Sequence, residues 1–156
     1  MGIVRTLISL TRPANVTAYA ANDAISDATS SPADITAANL GPGYLVGLKV
    51  ITNNAASMTP RLRLHFFRNT APTQIADNAP CTAPLDADAA NKYAGFITMP
   101  AMTSGGSGAD SAYTEDMGLR FPLDADTYFF IVQTLDAVTP ASNQIFRFVF
   151  FTERAK

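Results

Sequence analysis

The sequence contains no tryptophan, one cysteine (Cys81) and one histidine (His65), and Glu115 and Glu153 are its only glutamates. A lone cysteine excludes a disulfide framework within the chain. A lone histidine leaves little material for a catalytic triad or a histidine-rich metal site. No segment approaches the roughly 18 consecutive apolar residues of a membrane helix. We therefore expect no membrane partner.

Charge is also scarce, because charged residues make up 15% of the chain and the net charge is -2 at pH 7. A general nucleic-acid binder carries a clear basic excess, so we expect no nucleic-acid partner. Hydrophobic residues reach 47%, which argues against a disordered chain. The 156 residues suit a single domain, 1–156, that is large enough to bury a core without disulfides or metals.

Two runs near the carboxyl terminus predict strands that need cover on both faces. They are YFFIV at residues 128–132 and IFRFVFF at residues 145–151. A strand with one wet face would alternate apolar with polar residues, because successive side chains point to opposite sides. We therefore expect both runs to lie inside a sandwich or to be closed by another subunit. Arg147 and Phe151 in the second run become candidate interface residues.

Eight strands are predicted, separated by turn-forming Gly, Pro, Asn and Asp residues. They cover residues 3–11, 17–25, 44–52, 61–68, 93–99, 112–120, 127–134 and 144–152. This spacing indicates an all-β fold, a single-domain antiparallel β-sandwich of about eight strands with a jelly-roll-like topology. Residues 1–15 are either the first strand or an N-terminal arm, and residues 103–110 are a flexible glycine-rich loop. Short helices are predicted at residues 31–39 and 86–92.

The predicted strand 61–68 alternates cleanly between apolar and basic side chains. Its core-facing residues are Leu62, Leu64 and Phe66. Its outward residues, which would face water or a partner, are Arg61, Arg63 and His65. Arginine forms paired hydrogen bonds and loses less water than lysine on contact, which makes these residues interface candidates. A merely solvated outer face is the simpler interpretation.

Motifs that could carry chemistry are few. Cys81 lies between Pro80 and Thr82, with no basic neighbour in sequence to lower its pKa. The glycine-rich residues 105–108 lack the Lys-Ser/Thr pair of a phosphate loop. We therefore predict a non-enzymatic protein with no catalytic residue and no cofactor.

Two pairs of aspartates are weak calcium candidates, Asp86 with Asp88 and Asp124 with Asp126. Their carboxylates could supply oxygen ligands to a hard cation. Neither pair has the glycine and terminal glutamate of an EF-hand loop, and aspartate is a common turn residue. A role in turns is therefore favoured, and no metal site is predicted.

Three groups of short motifs resemble small virion proteins of tailed bacteriophages. They are TRPA and TAYAANDAI at residues 11–14 and 17–25, RLHFF and APTQIADNA at residues 63–67 and 71–79, and TYF and TPAS at residues 127–129 and 139–142. The family pattern has glycine where this chain has Asn22. Asparagine tolerates left-handed backbone geometry, so we expect the turn to persist. The resemblance implies a head-associated structural protein of the decoration or cement type, with no catalytic residues to carry over.

We therefore expect a capsid decoration protein that binds the major capsid protein on the outer surface of the virion head. It would be a homo-oligomer, with a trimer favoured and a dimer as the alternative. A receptor- or glycan-binding module of a phage tail fibre or spike is the alternative function. Sugar sites usually stack rings on exposed aromatics. Without tryptophan, the side chains available for this are Tyr19, Tyr44, Tyr93 and Tyr113.

Overall fold

The computed structural model describes residues 2–53, 59–85, 92–104 and 111–154, which build two antiparallel β-sheets packed together. The strands are β1 (Ile3–Thr11), β2 (Ala24–Ile25), β3 (Thr36–Ala37), β4 (Gly43–Asn53), β5 (Leu62–Arg68), β6 (Tyr93–Thr98), β7 (Thr103–Ser104), β8 (Ser111–Asp116), β9 (Phe121–Leu123), β10 (Tyr128–Thr134) and β11 (Ile145–Arg154). The prediction of an all-β antiparallel sandwich is confirmed. Within the described ranges, no helix is long and apolar enough to cross a membrane.

The two sheets differ in size and in strand order. The larger sheet has six strands in the order β1-β11-β4-β8-β7, and β9 also pairs with β4. The smaller sheet has five strands in the order β2-β10-β5-β6, and β3 also pairs with β10. Strands β11 and β4 therefore form the centre of the larger sheet, and β10 and β5 form the centre of the smaller one.

Phenylalanine side chains fill the space between the sheets. Phe148 and Phe150 of β11 are fully buried, as are Phe66 of β5 and Phe130 of β10. The ring centroid of Phe130 lies 5.1 Å from that of Phe148 and 5.5 Å from that of Phe150, in edge-on geometry. Such pairs contribute roughly 0.5–1.5 kcal/mol beyond the burial of their area. This cluster therefore ties the central strands of the two sheets together.

The outer face of β10 is covered by the chain itself. β10 lies between β5 and β2 in the smaller sheet. After β5 the chain reaches the far edge of β2, where Ala79 O accepts a hydrogen bond from Ala24 N at 2.8 Å. Ile131 and Gln133 of β10, which point away from the core, are both buried. Residues 128–132 were predicted to need cover on both faces, and the cover of the second face comes from the same chain.

The prediction of a helix at residues 31–39 was wrong. Thr36 and Ala37 pair with β10 as β3, and Ile35 O accepts a hydrogen bond from Phe130 N at 3.0 Å. These bonds to a distant strand satisfy the backbone better than an isolated short helix, which is marginal in water. The other predicted helix, at residues 86–92, falls almost entirely outside the described residues.

Several predicted strand boundaries also differ from the structure. Residues 17–25 contribute β2 and two isolated bridges, Tyr19 with Val138 and Asp23 with Pro80, rather than a continuous strand. The predicted strand 112–120 stops at Asp116, whose Oδ1 accepts a hydrogen bond from Gly118 N at 3.0 Å and so turns the chain. The described residues therefore hold eleven strands rather than about eight, four of them of only two or three residues.

The two segments with an uncertain role have definite structure where the structure describes them. Residues 3–11 of the segment 1–15 are strand β1, at the edge of the larger sheet. Residues 103 and 104 pair with β8 as β7 instead of belonging to a flexible loop. The remainder of that predicted loop, residues 105–110, lies outside the described residues.

Candidate functional site

The larger sheet has an outer face that the smaller sheet does not cover. On β11 the alternation that buries Phe148 in the core turns Arg147, Val149 and Phe151 to this side. Directly opposed residues in antiparallel strands share a face. The pairing of β11 with β1 and β4, and of β4 with β8, therefore identifies the other residues on this side. We call this surface the outer sheet face. Its larger members are Ile3, Arg5, Leu7, Tyr44, Lys49, Ile51, Tyr113, Glu115, Met117, Arg147, Val149, Phe151 and Glu153, with Gly47 among them. The same pairing places Ser9, Thr11, Asn53, Thr103, Ser111 and Ile145 at its margin.

Most of the exposed large hydrophobic side chains lie on the outer sheet face. Among the described residues seven are exposed, and five of these are on this face, with exposed fractions between 39% and 67%. They are Ile3, Leu7, Tyr44, Tyr113 and Met117. A solvated sheet face normally carries polar residues. Tyrosine, methionine, phenylalanine and arginine are the residues enriched at protein interfaces, so this composition indicates a binding surface.

Met117 lies across the middle of the outer sheet face. A Cβ atom at Gly47 would stand 2.8 Å from Met117 Sδ and 3.4 Å from Phe151 Cδ2. The missing side chain at Gly47 therefore gives Met117 room to lie against the sheet beside Phe151. Methionine is flexible and polarizable, and it adapts its shape to a partner. The centre of the face is thus both apolar and adaptable.

Basic side chains are interspersed with these apolar ones. Lys49 Nζ lies 3.6 Å from Glu115 Oε2 and 5.1 Å from the ring centroid of Tyr113. Arg5 and Arg147 lie on the adjacent strands β1 and β11, and within the described part of the chain neither takes part in an ion pair. Guanidinium groups pair well with carboxylates, so the face can receive acidic groups of a partner.

The five candidate interface residues do not form one surface. Arg147 and Phe151 lie on the outer sheet face, at the centre of the larger sheet. Arg61, Arg63 and His65 belong to β5 or the residue before it, in the smaller sheet. The two groups are therefore on opposite sides of the sandwich.

The prediction that His65 faces water or a partner was wrong. Its side chain is only 4% exposed. Nε2 lies 3.1 Å from Gln133 Oε1, and Nδ1 lies 3.0 Å from the hydroxyl oxygen of Tyr93. Burial lowers the pKa of His65. The neutral ring then donates its Nε2 hydrogen to Gln133 and accepts a hydrogen bond from Tyr93.

Arg61 and Arg63 point outward from the smaller sheet and bind within the chain. Arg61 forms an exposed ion pair with Asp136 at 2.7 Å, and this contact raises the pKa of the guanidinium. The Arg63 guanidinium lies 4.7 Å from the ring centroid of Phe96, and its Nε donates to Thr98 Oγ1 at 3.2 Å. Both guanidinium groups therefore have partners of their own before any protein docks.

The aspartates and the cysteine show no metal-binding or catalytic arrangement in the described ranges. Asp124 forms an ion pair with Arg68, and its Oδ1 accepts a hydrogen bond from the Tyr128 hydroxyl at 2.8 Å. Asp126 is exposed, Asp86 and Asp88 lie outside the described residues, and no group of three His, Cys, Asp or Glu gathers in those ranges. Burial raises the pKa of the Cys81 thiol, which weakens it as a nucleophile.

Sequence reasoning missed a buried polar cluster formed by Arg12, Tyr19 and Asp77. Arg12 Nη2 lies 2.8 Å from Asp77 Oδ2, and both side chains are fully buried. Tyr19 donates its hydroxyl hydrogen to Asp77 Oδ1 at 2.5 Å, and Arg12 Nη1 donates to Ala141 O at 3.1 Å. Burial raises the pKa of Tyr19 far above its ordinary value, so the phenol stays protonated.

This cluster joins segments that are far apart in the sequence. Arg12, Tyr19, Asp77 and Ala141 come from residues 11–14, 17–25, 71–79 and 139–142 respectively. Asn22 has a positive φ of 73°, which confirms the expected left-handed turn. The cluster therefore has a structural role, because it holds four segments of the chain together.

Comparison with models of known protein families gave no match to this chain. Comparison with curated proteins gave no match either.

Proposed function

We propose that this protein is a non-enzymatic capsid decoration protein that binds the outer surface of a virion head through its outer sheet face. The observation that carries this proposal is the concentration of exposed Ile3, Leu7 and Met117 around the half-buried Phe151 on one face. Fully burying such a side chain contributes about 1.5–3 kcal/mol. Several of them in one contact provide a large part of the free energy that binding requires.

The chemistry of the face defines the partner surface. An apolar patch on the partner would cover Leu7, Met117 and Phe151. Carboxylates of the partner on either side of that patch would pair with Arg5 and Arg147. We infer that the partner is the major shell protein. The motif resemblance to virion proteins supports this choice of partner.

Attachment would stabilise the shell by mass action. A protein that binds only the assembled shell lowers the free energy of that state by its binding free energy. Neighbouring attachment points on a repeating shell would add avidity without a strong single contact. A homo-oligomer of this chain would provide such multivalent attachment.

The strand order supports a jelly-roll-like arrangement. Four strands of the larger sheet run β1-β11-β4-β8 and four of the smaller sheet run β2-β10-β5-β6. The chain passes from the larger to the smaller sheet and back several times, as in a double-sheet jelly roll built from two Greek keys. Jelly rolls are common in viral shell proteins.

A receptor- or glycan-binding module is the second candidate function, favoured by the exposure of Tyr44 and Tyr113 on the outer sheet face. The guanidinium carbon of Arg120 lies 4.4 Å from the ring centroid of Tyr44, and Lys49 Nζ lies 5.1 Å from the ring centroid of Tyr113. One ring face of each tyrosine is therefore taken by a cation. Tyr19 is buried and cannot stack on a sugar, which further weakens this candidate.

Co-sedimentation with shells that lack the protein tests the proposal. We expect saturable binding at a fixed ratio to the major shell protein, and no binding to host cells or to a glycan array. Binding to cells or glycans without binding to shells would transfer the assignment to the second candidate.

A matched pair of variants tests the face. Met117 and Phe96 are 54% and 52% exposed, but Met117 is on the outer sheet face and Phe96 lies beneath Arg63 on the smaller sheet. We expect Met117→Asp to weaken shell binding about tenfold or more, because it buries a charge in an apolar contact. Phe96→Asp should leave the affinity within about twofold of the unmodified protein. A larger loss with Phe96→Asp than with Met117→Asp would contradict the assigned face.

A further inference from the structure

β1 is a sheet edge without the features that usually protect one. It pairs with β11 along Ile3–Thr11 with no register shift, and within the described residues it pairs with no other strand. It contains no proline and no lysine, and Arg5 is its only charged residue. Long, regular edges of this kind offer unpaired N–H and C=O groups to another strand.

The other sheet edges in the described part of the chain are short or irregular. β7, β2 and β3 have two residues each. β6 has six residues, and its pairing with β5 shifts register between Phe66 and Phe67. Such short or bulged strands are poor templates for edge-to-edge pairing. β1 is therefore the edge at which a strand can be added.

We propose that two copies of this chain associate by antiparallel pairing of β1 with β1, around a twofold axis at Leu7. The opposed residues in this register are Ile3 with Thr11, Val4 with Leu10, Arg5 with Ser9, Thr6 with Ile8, and Leu7 with Leu7. Every opposed pair lies on one side of the sheet, and no like charges meet. The pairing covers all nine residues and forms about eight to ten backbone hydrogen bonds.

The edge strand is accessible along most of its length. Leu10 is the only buried residue of β1, and its odd-numbered residues from Ile3 to Thr11 are exposed. A cleft of about 710 Å³ also opens beside residues 8–13. In the proposed register, residues 3–6 of the second copy lie beside residues 8–11 of the first. Arg5 then stands opposite the uncharged Ser9 on the outer sheet face, so the pairing brings no like charges together.

The pairing has a consequence for the outer sheet face. It joins the two larger sheets into one continuous sheet, and the exposed Leu7 side chains meet at the axis. The two outer sheet faces then lie next to each other on one side. A dimer of this form presents a doubled binding surface, yet it forms without any shell, so its test is independent of the shell-binding test.

Disulfide trapping tests both the edge and the register. In a Cys81→Ser background, Leu7→Cys places two thiols across the axis, at a Cα separation of about 4.5–5.5 Å that suits a disulfide. Ile3→Cys is the matched control, because the two copies of residue 3 would stand roughly 26 Å apart. At micromolar protein and mild oxidation, we expect most of the Leu7→Cys protein to become a covalent dimer, and less than a tenth of the Ile3→Cys protein. Equal trapping of both variants, or none of Leu7→Cys, would overturn the proposal.

Sedimentation equilibrium of the unmodified chain gives a second readout. We expect a monomer–dimer equilibrium, with the dimer at twice 16.6 kDa. Leu7→Lys sets like charges directly opposite one another and should weaken the dimer at least tenfold. Val16→Lys, at an exposed site outside the strands, should leave the equilibrium unchanged. A monomer at every concentration, or a trimer, would refute β1 pairing.

Discussion

Arg12 and Asp77 form an ion pair whose side chains are both fully buried, and this pair anchors four separate loops. Removing a charge from water is costly, so such a pair is stable only when its remaining polar atoms are satisfied. Here the Tyr19 hydroxyl and Ser26 N, which lies 3.1 Å from Asp77 Oδ1, supply the additional hydrogen bonds. The stability of the loops therefore depends on each member of the cluster.

Loss of one partner in this cluster should be strongly destabilising. We expect Arg12→Met to lower the free energy of unfolding by about 3–5 kcal/mol, because it leaves Asp77 buried without a counter-charge. Arg61→Met is the control, since the Arg61–Asp136 pair is largely exposed and should contribute about 1 kcal/mol or less. Urea unfolding monitored by circular dichroism measures both. Equal effects of the two variants would contradict the structural role of the cluster.

His65 should make stability depend on pH. Its pKa is lowered by burial from an ordinary value of about 6.5. Below pH 6.5 the unfolded chain gains a proton that the folded protein resists, so stability should be complete above pH 6.5 and should fall as the pH drops toward the folded pKa. The slope from one proton is at most about 1.4 kcal/mol per pH unit.

A variant without the imidazole isolates this effect. We expect the unfolding free energy of His65→Gln to change less between pH 7.0 and 5.5 than that of the unmodified protein. Urea titrations at three pH values in this window provide the comparison. Parallel pH profiles would show that His65 does not cause the dependence.

At the scale of elements, the entry to β4 depends on a close backbone approach. A Cβ atom at Gly41 would collide with Ala125 O and reach within 3.0 Å of Leu123 Cβ. Leu40 N donates a hydrogen bond to Asp126 O at 3.0 Å in the same place. The chain before β4 therefore packs directly on the turn between β9 and β10, and a side chain does not fit between them.

Gly41→Ala should consequently destabilise the fold. We expect a loss of about 1–3 kcal/mol, because the added methyl group meets backbone atoms that have little room to move. Gly118→Ala is the matched control, since its Cβ would have only Asp116 Oδ1 nearby, at 3.8 Å. Thermal unfolding of the two variants makes the comparison. A midpoint for Gly41→Ala as high as that for Gly118→Ala would contradict the packing described.

The long strands could be predicted from sequence because their patterns are local. Alternation identified β5, and continuous apolar runs identified β10 and β11. The short strands β3 and β9 could not be found in this way, because they exist only through pairing with distant strands. Alternation likewise assigned His65 to the outer side of its sheet, but it carries no information about its contacts there with Tyr93 and Gln133. The burial of His65 is therefore a tertiary effect.

The candidate site was predictable only in part, for a related reason. Arg147 and Phe151 stood out because they interrupt or extend an apolar run on one strand. Leu7 and Met117 did not, because their position beside those residues follows from the register of β1 with β11 and from the empty space at Gly47. The residues of a surface that spans several strands can be identified only once the pairing register of those strands is known.

At the scale of the whole molecule, the two sides of the sandwich differ. On the outer side of the smaller sheet, His65, Ile131 and Gln133 are buried by the chain itself. On the outer sheet face of the larger sheet Val149 is buried, but the face also holds the exposed Leu7, Tyr113 and Met117. An asymmetric molecule of this kind is suited to attach by one side only. This asymmetry is the physical basis of the proposed function.

Hydroxyl-radical footprinting of the protein, free and bound to shells, tests this claim most directly. The oxidisable side chains Tyr113 and Met117 report on the outer sheet face, and Phe96 and Val16 report on the remaining surface. We expect binding to lower the oxidation rates of Tyr113 and Met117 several-fold and to leave those of Phe96 and Val16 unchanged. Protection of Phe96 with full reactivity at Met117 would contradict attachment through the outer sheet face.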